Sequence, residues 1–193
     1  MCLELPQGLA GYTTCLQNLQ IFFERDYPVL KKLLGPKGFF KTEERVRLDR
    51  TLSSVVDYHS SYITGVVDVL GYDPDTQTLI LLDYKTGVES TSEAGAAITK
   101  EQLQLYVLLV HKALFPVSRY GLAVCALAAE GMRWLTPPFE PFDEKTEVQN
   151  LISKIKQTHT LLQDIHPQIG PYCKYCPHLN FCPAQREVTN GNM

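Results

Sequence analysis

The segment Thr78–Lys85 constrains the fold most, because it contains four consecutive apolar residues and then ends in a charged tripeptide. It has the length of a strand but lacks the alternation of apolar and polar residues that is typical of a strand with one solvent-exposed face. Such a run is typical of a strand buried on both faces at the centre of a sheet. The sequence therefore predicts a sheet flanked by helices, with Asp83 and Lys85 at the end of a central strand.

The rest of the sequence predicts an α/β fold with a core of about residues 14–136, in the order α-β-β-β-α-β around a mixed sheet. A capping box at Thr99–Gln102 is expected to begin the second helix, after a loop over residues 86–97. Pro28 is expected to kink or divide the first helix. The core elements are a helix over 14–34, strands over 39–48, 61–71 and 78–85, a helix over 100–115, a strand over 119–128 and a return strand over 132–136.

After the core, the sequence predicts a helix over 144–163 and a tail rich in proline, glycine and cysteine, so that this appendage covers about residues 143–186. Hydrophobic residues make up 45% of the chain and charged residues 20%, which excludes a disordered protein. We expect a single domain over 1–193. No apolar run has the length of a membrane span and Met1–Glu4 does not begin a signal peptide, so we expect a cytoplasmic protein.

Two aspartates lie on neighbouring strands of a predicted hairpin, which reverses at Asp73–Asp75. Cross-strand neighbours are about 5 Å apart, so Asp68 and Asp83 can reach one divalent ion. Asp83 and Lys85 share a parity and therefore face one side of the sheet. A hard cation such as Mg²⁺ or Mn²⁺ stabilises the charge that develops in phosphodiester hydrolysis, and a lysine beside it can orient the attacking water. For Asp68 the alternative is a hydrogen bond to turn backbone.

Three further features carry weaker signals. Glu44 shares its parity with the apolar residues of the strand 39–48, so it is expected to face inward and is a candidate catalytic residue, whereas Glu43 faces solvent. Gln102 and Tyr106 lie one turn apart on a helix, where they either point at the site or edge the helix. A second Asp-x-Lys, Asp143–Lys145, is expected to be a helix cap and a solvated charge. The residues sharing the parity of Glu44 are Phe40, Thr42, Val46 and Leu48, and its alternative salt-bridge partners are Lys41, Arg45 and Arg47.

A cluster of cysteines follows in the tail, where Cys173, Cys176 and Cys182 have the spacing Cys-x2-Cys-x5-Cys. Thiolates at this spacing suit zinc or an iron–sulfur cluster, and three ligands require a fourth. Chance clustering of free thiols is the alternative. Cys125 lies in an apolar strand and is expected to belong to the core. Candidates for the fourth ligand are Cys15, Cys2, His178 and His166.

Taken together, these residues resemble the RecB-like PD-(D/E)XK nucleases over about residues 40–128. The matching segments are Gly65-Val-Val-Asp68, Asp83-Tyr-Lys85 and Gln102-x3-Tyr106, in the order and the strand or helix context of that family. The resemblance implies a restriction-endonuclease-like fold. It implies that Asp68, Asp83 and the Tyr84 carbonyl bind the metal, that Lys85 is catalytic, and that Gln102 and Tyr106 line the site. One departure is that no Gly-x-x-His motif precedes the strand 39–48.

The cysteine tail resembles that of the iron–sulfur members of the family, such as the CRISPR-adaptation exonucleases and the AddB nuclease domain. The resemblance implies a [4Fe–4S] cluster held by Cys15, Cys173, Cys176 and Cys182, with a zinc ion as the alternative. The substrate it implies is DNA, as single strands or as ends, and the partners it implies are DNA-repair, phage or CRISPR-adaptation proteins.

The formal net charge of the chain is −3, so its surface as a whole does not attract nucleic acid. DNA binding must therefore rest on a local basic strip or on the metal ion. The sequence predicts a metal-dependent DNA nuclease, most simply an exonuclease. The alternative is a catalytically weak or inactive subunit that binds DNA or a partner protein, which the acidic balance and the missing histidine favour.

Overall fold

The described residues form a mixed α/β structure around a six-stranded sheet. The structure is a computed structural model, and it describes residues 16–85, 92–126 and 131–163. The helices are α1 (Tyr27–Leu33), α2 (Glu93–Ala113) and α3 (Glu144–Gln163). The strands are β1 (Phe39–Leu48), β2 (Ile63–Asp73), β3 (Thr78–Lys85), β4 (Arg119–Ala126), β5 (Gly131–Trp134) and β6 (Glu140–Pro141).

The chain divides into two compact units, Met1–Val148 and Gln149–Met193. The sheet, α1 and α2 belong to the first unit, and α3 begins there and continues into the second. The predicted cysteine tail lies outside the described residues. Within the described parts of the chain, no helix combines the length and apolarity that a membrane span requires.

The strands of the sheet follow the order β1-β2-β3-β4-β5, and β6 pairs with β4. β1, β2 and β3 are antiparallel neighbours, whereas β3 and β4 are parallel and are joined by α2. A parallel pair requires such a crossover connection. β3 therefore lies in the middle of the sheet with Thr78–Asp83 buried, which confirms its predicted central position. The predicted fold class, a mixed sheet flanked by helices, is also confirmed.

Each face of the sheet carries its own hydrophobic core, since a strand presents alternate residues to opposite sides. Each buried leucine contributes about 1.5–3 kcal/mol relative to an exposed one. On one face, which we call the α2 face, the buried residues include Leu103, Val107, Leu109, Val46, Val67, Leu70, Leu81 and Leu122. On the opposite face, which we call the α1 face, they are Phe22, Leu30, Leu34, Val69, Ile80, Leu82, Ala123 and Cys125.

The N-terminal helix is divided before Pro28, as predicted, by a stretch with π-helical hydrogen bonding. Residues 16–21 are helical, Phe22–Asp26 is a π-helix, and α1 follows directly. The Tyr27 N–H reaches back to the Phe22 carbonyl, five residues away. Pro28, which has no N–H, then stands in the first turn of α1, where a missing donor costs little.

Leu16, Leu19, Phe22 and Phe23 form an apolar stripe in the sequence of this helix, but two of them do not face the core. Leu16 and Phe23 are 48% and 54% exposed, and only Phe22 of the four is buried. The buried positions instead recur every four residues, which brings two polar side chains inward. These positions are Asn18, Phe22, Asp26 and Leu30.

Helix α2 begins well before the predicted start at residue 100. Ser92 is its N-cap, with Oγ accepting the Gly95 N–H at 3.0 Å. The prediction of a capping box at Thr99 and of a loop as far as residue 97 is therefore wrong, and Thr99 is buried within the helix. The first turns are small residues without an apolar stripe, so periodicity misses them, although alanine has the highest helix propensity. Residues 86–91 of the predicted loop lie outside the described residues.

Strand β1 has the predicted bounds, but its residues do not keep one parity. Phe40 packs on the α1 face, whereas Val46 packs on the α2 face. Between them Glu43 has a φ of 53°, which reverses the alternation. The prediction that Phe40 and Thr42 share a face with Glu44 is therefore wrong, and Thr42 is exposed.

The remaining elements lie close to their predicted positions. β2 is displaced by two residues from the predicted 61–71, and β5 covers Gly131–Trp134 instead of 132–136. β4 is described as far as residue 126, so the end of the predicted strand 119–128 lies outside the described residues. Helix α3 has the predicted bounds, and β6 has no counterpart among the predictions.

Candidate active site

Asp68 and Asp83 occupy neighbouring positions on β2 and β3. The register of the two strands ends at Val69 opposite Leu82, and its next step sets Asp68 opposite Asp83. Asp68 Oδ2 accepts the Tyr84 N–H at 3.0 Å, so the carboxylate reaches across to β3 in place of a backbone acceptor. The hairpin therefore brings the two predicted acids together. The hydrogen bond of Asp68 goes to a strand and not to the turn.

Asp83 and Lys85 form an ion pair at the buried end of β3. The Lys85 Nζ lies 2.9 Å from Asp83 Oδ2 and 3.1 Å from Oδ1. The Asp83 side chain is 7% exposed and that of Lys85 is 33% exposed. Burial raises the pKa of Asp83, the Lys85 ammonium opposes this, and the charge of Asp68 raises the pKa further. Burying an ionised carboxylate beside a second acid costs free energy unless positive charge lies next to it.

The oxygen atoms at this position fit a divalent cation. Asp83 Oδ2 is buried and accepts no hydrogen bond, since the Lys85 Nζ contacts it at short distance but off the hydrogen-bonding direction. Hard cations such as Mg²⁺ take carboxylate oxygens and keep several waters. Among the described residues, no group of three or more His, Cys, Asp and Glu side chains is arranged to hold a metal ion. A cation here would therefore depend on two carboxylates, completed by main-chain or water oxygens.

Glu44 stands on β1 but is engaged elsewhere. Its Oε2 lies 3.4 Å from the Lys41 Nζ, one of the alternative partners considered from the sequence. In the β1–β2 register Glu44 is opposite Val67, one position before Asp68. The two side chains of the Lys41–Glu44 pair are 40% and 25% exposed, so this pair contributes little stability.

Gln102 and Tyr106 form a hydrogen-bonded pair on α2, with 3.1 Å between Gln102 Nε2 and the Tyr106 hydroxyl. The Tyr106 ring packs directly on β2 at Gly65, three residues before Asp68. A Cβ at Gly65 would lie 2.8 Å from Tyr106 Cε1. Gly65 therefore admits the ring to the α2 face, which gives the glycine of the sequence motif a packing role.

A groove beside α2 was not foreseen from the sequence. It encloses about 370 Å³ between the start of α2 and β5, and its charged lining residues are Glu93, Lys100 and Arg133. Arg133 pairs with Val124 on β4, and Val124 pairs with Asp83 on β3. The groove thus lies two strands from Asp83. The only sequence signal for it is a basic residue in a short edge strand.

Two of the less prominent predictions are confirmed. Asp143 caps α3, where Oδ1 accepts the Lys145 N–H at 3.3 Å and Oδ2 accepts the Thr146 hydroxyl. The second Asp-x-Lys is therefore structural. Cys125 is fully buried and free, and burial raises the pKa of its thiol to about 11. All four residues of the predicted cluster lie outside the described residues.

The chain is similar to a known protein family and to a solved structure. The model of the PD-(D/E)XK nuclease superfamily matches residues 28–183. No curated protein matches the chain at a significant level. Among solved structures, that of SSO0001 is 18% identical to this chain, with a TM-score of 0.39, and the match covers 93% of this chain and 71% of SSO0001.

Proposed function

Since this chain belongs to the PD-(D/E)XK nuclease superfamily, we propose that it is a metal-dependent deoxyribonuclease, and specifically an exonuclease that acts on single strands or DNA ends. The observation that carries the proposal is the position of Asp68, which accepts the Tyr84 N–H across the β2–β3 hairpin beside Asp83, while the Lys85 ammonium contacts Asp83. Members of the superfamily generally use Mg²⁺ or Mn²⁺.

The proposed role of each residue follows from its position. Asp68 and Asp83 would hold the cation with the Tyr84 carbonyl, and one ligand atom would be the buried Asp83 Oδ2, which contacts the Lys85 ammonium but accepts no hydrogen bond. The bound cation supplies charge stabilisation and a more acidic water. Lys85 holds its ammonium against Asp83, where it can orient a water or offset the charge of a phosphate oxygen. Tyr106, which accepts a hydrogen bond from Gln102, packs on the α2 face of the sheet at Gly65.

The proposal is tested by digestion of end-labelled single-stranded and double-stranded DNA with Mn²⁺. We expect Asp83→Asn to abolish cleavage and Lys85→Met to lower the rate by about 10²- to 10³-fold. Thermal unfolding should still show a folded protein, because neither change enlarges a buried side chain. Circular single-stranded DNA should stay intact, since an exonuclease requires an end.

The matched control is the second Asp-x-Lys of the chain. Asp143→Asn and Lys145→Met alter the same residue types at the α3 cap, so they should leave the cleavage rate unchanged. Full cleavage by the Asp83 and Lys85 variants would contradict the proposal. A wild-type chain that binds DNA but leaves every substrate intact would favour the binding-subunit alternative.

We further propose, from the sequence pattern alone, that Cys173, Cys176 and Cys182 bind a [4Fe–4S] cluster with Cys15. The soft thiolates suit iron or zinc, and the colours of the two differ. Protein purified without oxygen should absorb broadly near about 400 nm, as cysteine-ligated clusters do. Cys15→Ser should reduce the iron content, whereas Cys125→Ala should not, because Cys125 is buried in the α1-face core. Zinc without iron would contradict this assignment.

A further inference from the structure

We propose that the loop between β1 and β2, residues 49–62, is a platform on which the bases of single-stranded nucleic acid stack on their way to the Asp68–Asp83 site. The proposal rests on the proposed nuclease function and deepens it by assigning a substrate-binding surface. We call residues 49–62 the β1–β2 loop.

The β1–β2 loop exposes large side chains that a soluble protein normally covers. Val56 is 92% exposed, Tyr58 67% and Tyr62 51%. His59 stands beside Tyr58, with 6.0 Å between the ring centroids and 77° between the ring planes. Two tyrosines and a histidine, all exposed, therefore lie within five residues of sequence.

Hydrogen bonds within the loop fix the backbone that carries the rings before any ligand binds. Asp49 Oδ1 accepts from the Thr51 and Ser53 N–H groups at 2.8 and 3.0 Å. Asp57 Oδ2 accepts from both the N–H and the hydroxyl of Ser60 at 3.0 Å. At the end of the loop, the Tyr62 N–H donates to the Leu48 carbonyl at 2.8 Å. A preformed surface loses less entropy on binding.

Basic side chains accompany the rings. The Arg50 guanidinium lies over the Tyr62 ring, 5.5 Å from its centroid. Arg45 and Arg47 precede it on β1, and the Arg47 Nη1 donates to the Val56 carbonyl at 3.1 Å. The carboxylates of Asp49 and Asp57 accept hydrogen bonds from the loop itself, and the partly buried Arg47 lies near Asp57. The exposed Arg45 and Arg50 therefore provide the local positive charge that nucleic-acid binding by a chain of net charge −3 requires.

The position of the loop suits a strand that enters the site. β2 runs directly from the end of the loop at Ile63 to Asp68. Five residues of strand cover about 17 Å, a distance that a few nucleotides of a single strand can span. A single strand whose phosphate lies at Asp68 can therefore place its flanking bases on the loop.

Single-stranded nucleic acid fits this surface better than a protein does. Unpaired bases stack on aromatic rings regardless of sequence, and arginines follow their phosphates. A protein-docking surface has a contiguous apolar core with charged residues kept to its rim. Here an arginine lies directly over one of the rings, and Asp57 and His59 flank Tyr58.

The test is fluorescence anisotropy with a labelled oligothymidylate of about 15 nucleotides, a length within the usual site size. EDTA is present, so that nothing is cleaved. We expect Tyr58→Ala and Tyr62→Ala each to weaken binding roughly 5- to 150-fold, the range for loss of one stacked base. Tyr58→Phe keeps the ring and should bind as the wild type does. The matched control is Val56→Ala, which removes a more exposed apolar side chain from the same loop without removing a ring.

Four results would overturn the platform. The first is unchanged affinity of both tyrosine-to-alanine variants, and the second is an equal loss of affinity in Val56→Ala, which would indicate a protein-docking surface. The third is equal affinity of the wild type for duplex and single-stranded DNA, and the fourth is no binding of single-stranded DNA by the wild type. Both tyrosines are more than half exposed, so their truncation should leave thermal unfolding unchanged.

The outcomes separate this inference from the nuclease assignment. If the tyrosine variants bind normally while Asp83→Asn abolishes cleavage, the platform fails and the nuclease stands. If the variants lose binding while the wild type cleaves nothing, the platform stands and the nuclease assignment fails.

Discussion

Gly65 and Tyr106 connect the fold to the candidate site, and Gly65→Ala tests that connection. The new Cβ would lie 2.8 Å from Tyr106 Cε1 and 3.0 Å from Leu109 Cδ1, closer than packed atoms normally approach. Overpacking of this kind costs about 1–3 kcal/mol. For a chain of this size it lowers Tm by about 2–4 °C per kcal/mol. The ring must also move, which breaks its hydrogen bond with Gln102.

The matched control is Gly71→Ala on the same strand. Its Cβ would lie 2.7 Å from Leu34 Cδ1 and 2.9 Å from Phe40 Cε1, so it meets a similar clash on the α1 face. In urea unfolding both variants should lose a similar free energy of unfolding. Only Gly65→Ala should also lower the rate of DNA cleavage, by about tenfold or more, since a small misplacement at a site has a large effect on rate.

A double-mutant cycle decides whether Tyr106 is the cause. Gly65→Ala should cost less in a Tyr106→Ala background, with a coupling of about 0.5–3 kcal/mol. Equal costs in both backgrounds would refute the reasoning, as would a Gly71→Ala variant whose cleavage falls as far as that of Gly65→Ala.

Two further predictions concern the α1 face. Asp26→Ala should lower the free energy of unfolding in urea by about 1–3 kcal/mol, because it removes the acceptor for the Met132 N–H, 3.0 Å away across the core. Asp26→Asn keeps an acceptor and should recover most of that loss, and a wild-type unfolding curve for Asp26→Ala would contradict this. Burial raises the pKa of the Cys125 thiol to about 11, so the thiol stays protonated at pH 8 and becomes reactive only as the pH rises toward that value. Mass spectrometry should find Cys125 unalkylated by iodoacetamide at pH 8 until urea is added; modification of the folded protein at the rate of a free thiol would be the opposite result.

The elements that the sequence predicted correctly are those in which one pattern dominates. β3 is a short apolar run with charges at its end, and the structure gives it the predicted bounds and the central position. Asp68 and Asp83 were expected to lie side by side because a hairpin fixes its own register, and Asp68 accepts the N–H of Tyr84, the residue after Asp83. These predictions depend only on local chain geometry.

The predictions that failed depend on conformations that a residue pattern does not reveal. Glu43 adopts a φ of 53°, which a glutamate rarely does, and Phe40 and Val46 lie on opposite faces on either side of it. The paired strand β2 reverses at the same level, between Val67 and Val69. The start of α2 is alanine-rich and has no apolar stripe, so the capping Ser92 was missed. The division of the first helix was predicted from Pro28, but the π-helix itself was not, because an apolar pattern does not distinguish it from an α-helix.

Manganese binding measured by titration calorimetry tests most directly whether two acids and a lysine form a catalytic metal centre. The wild type should bind Mn²⁺, and Asp68→Ala and Asp83→Ala should each abolish the binding. Lys85→Met should bind Mn²⁺ but cleave DNA about 10²- to 10³-fold more slowly, and Asp143→Asn should bind Mn²⁺ and cleave DNA as the wild type does. Mn²⁺ binding that survives in both aspartate variants would contradict the account.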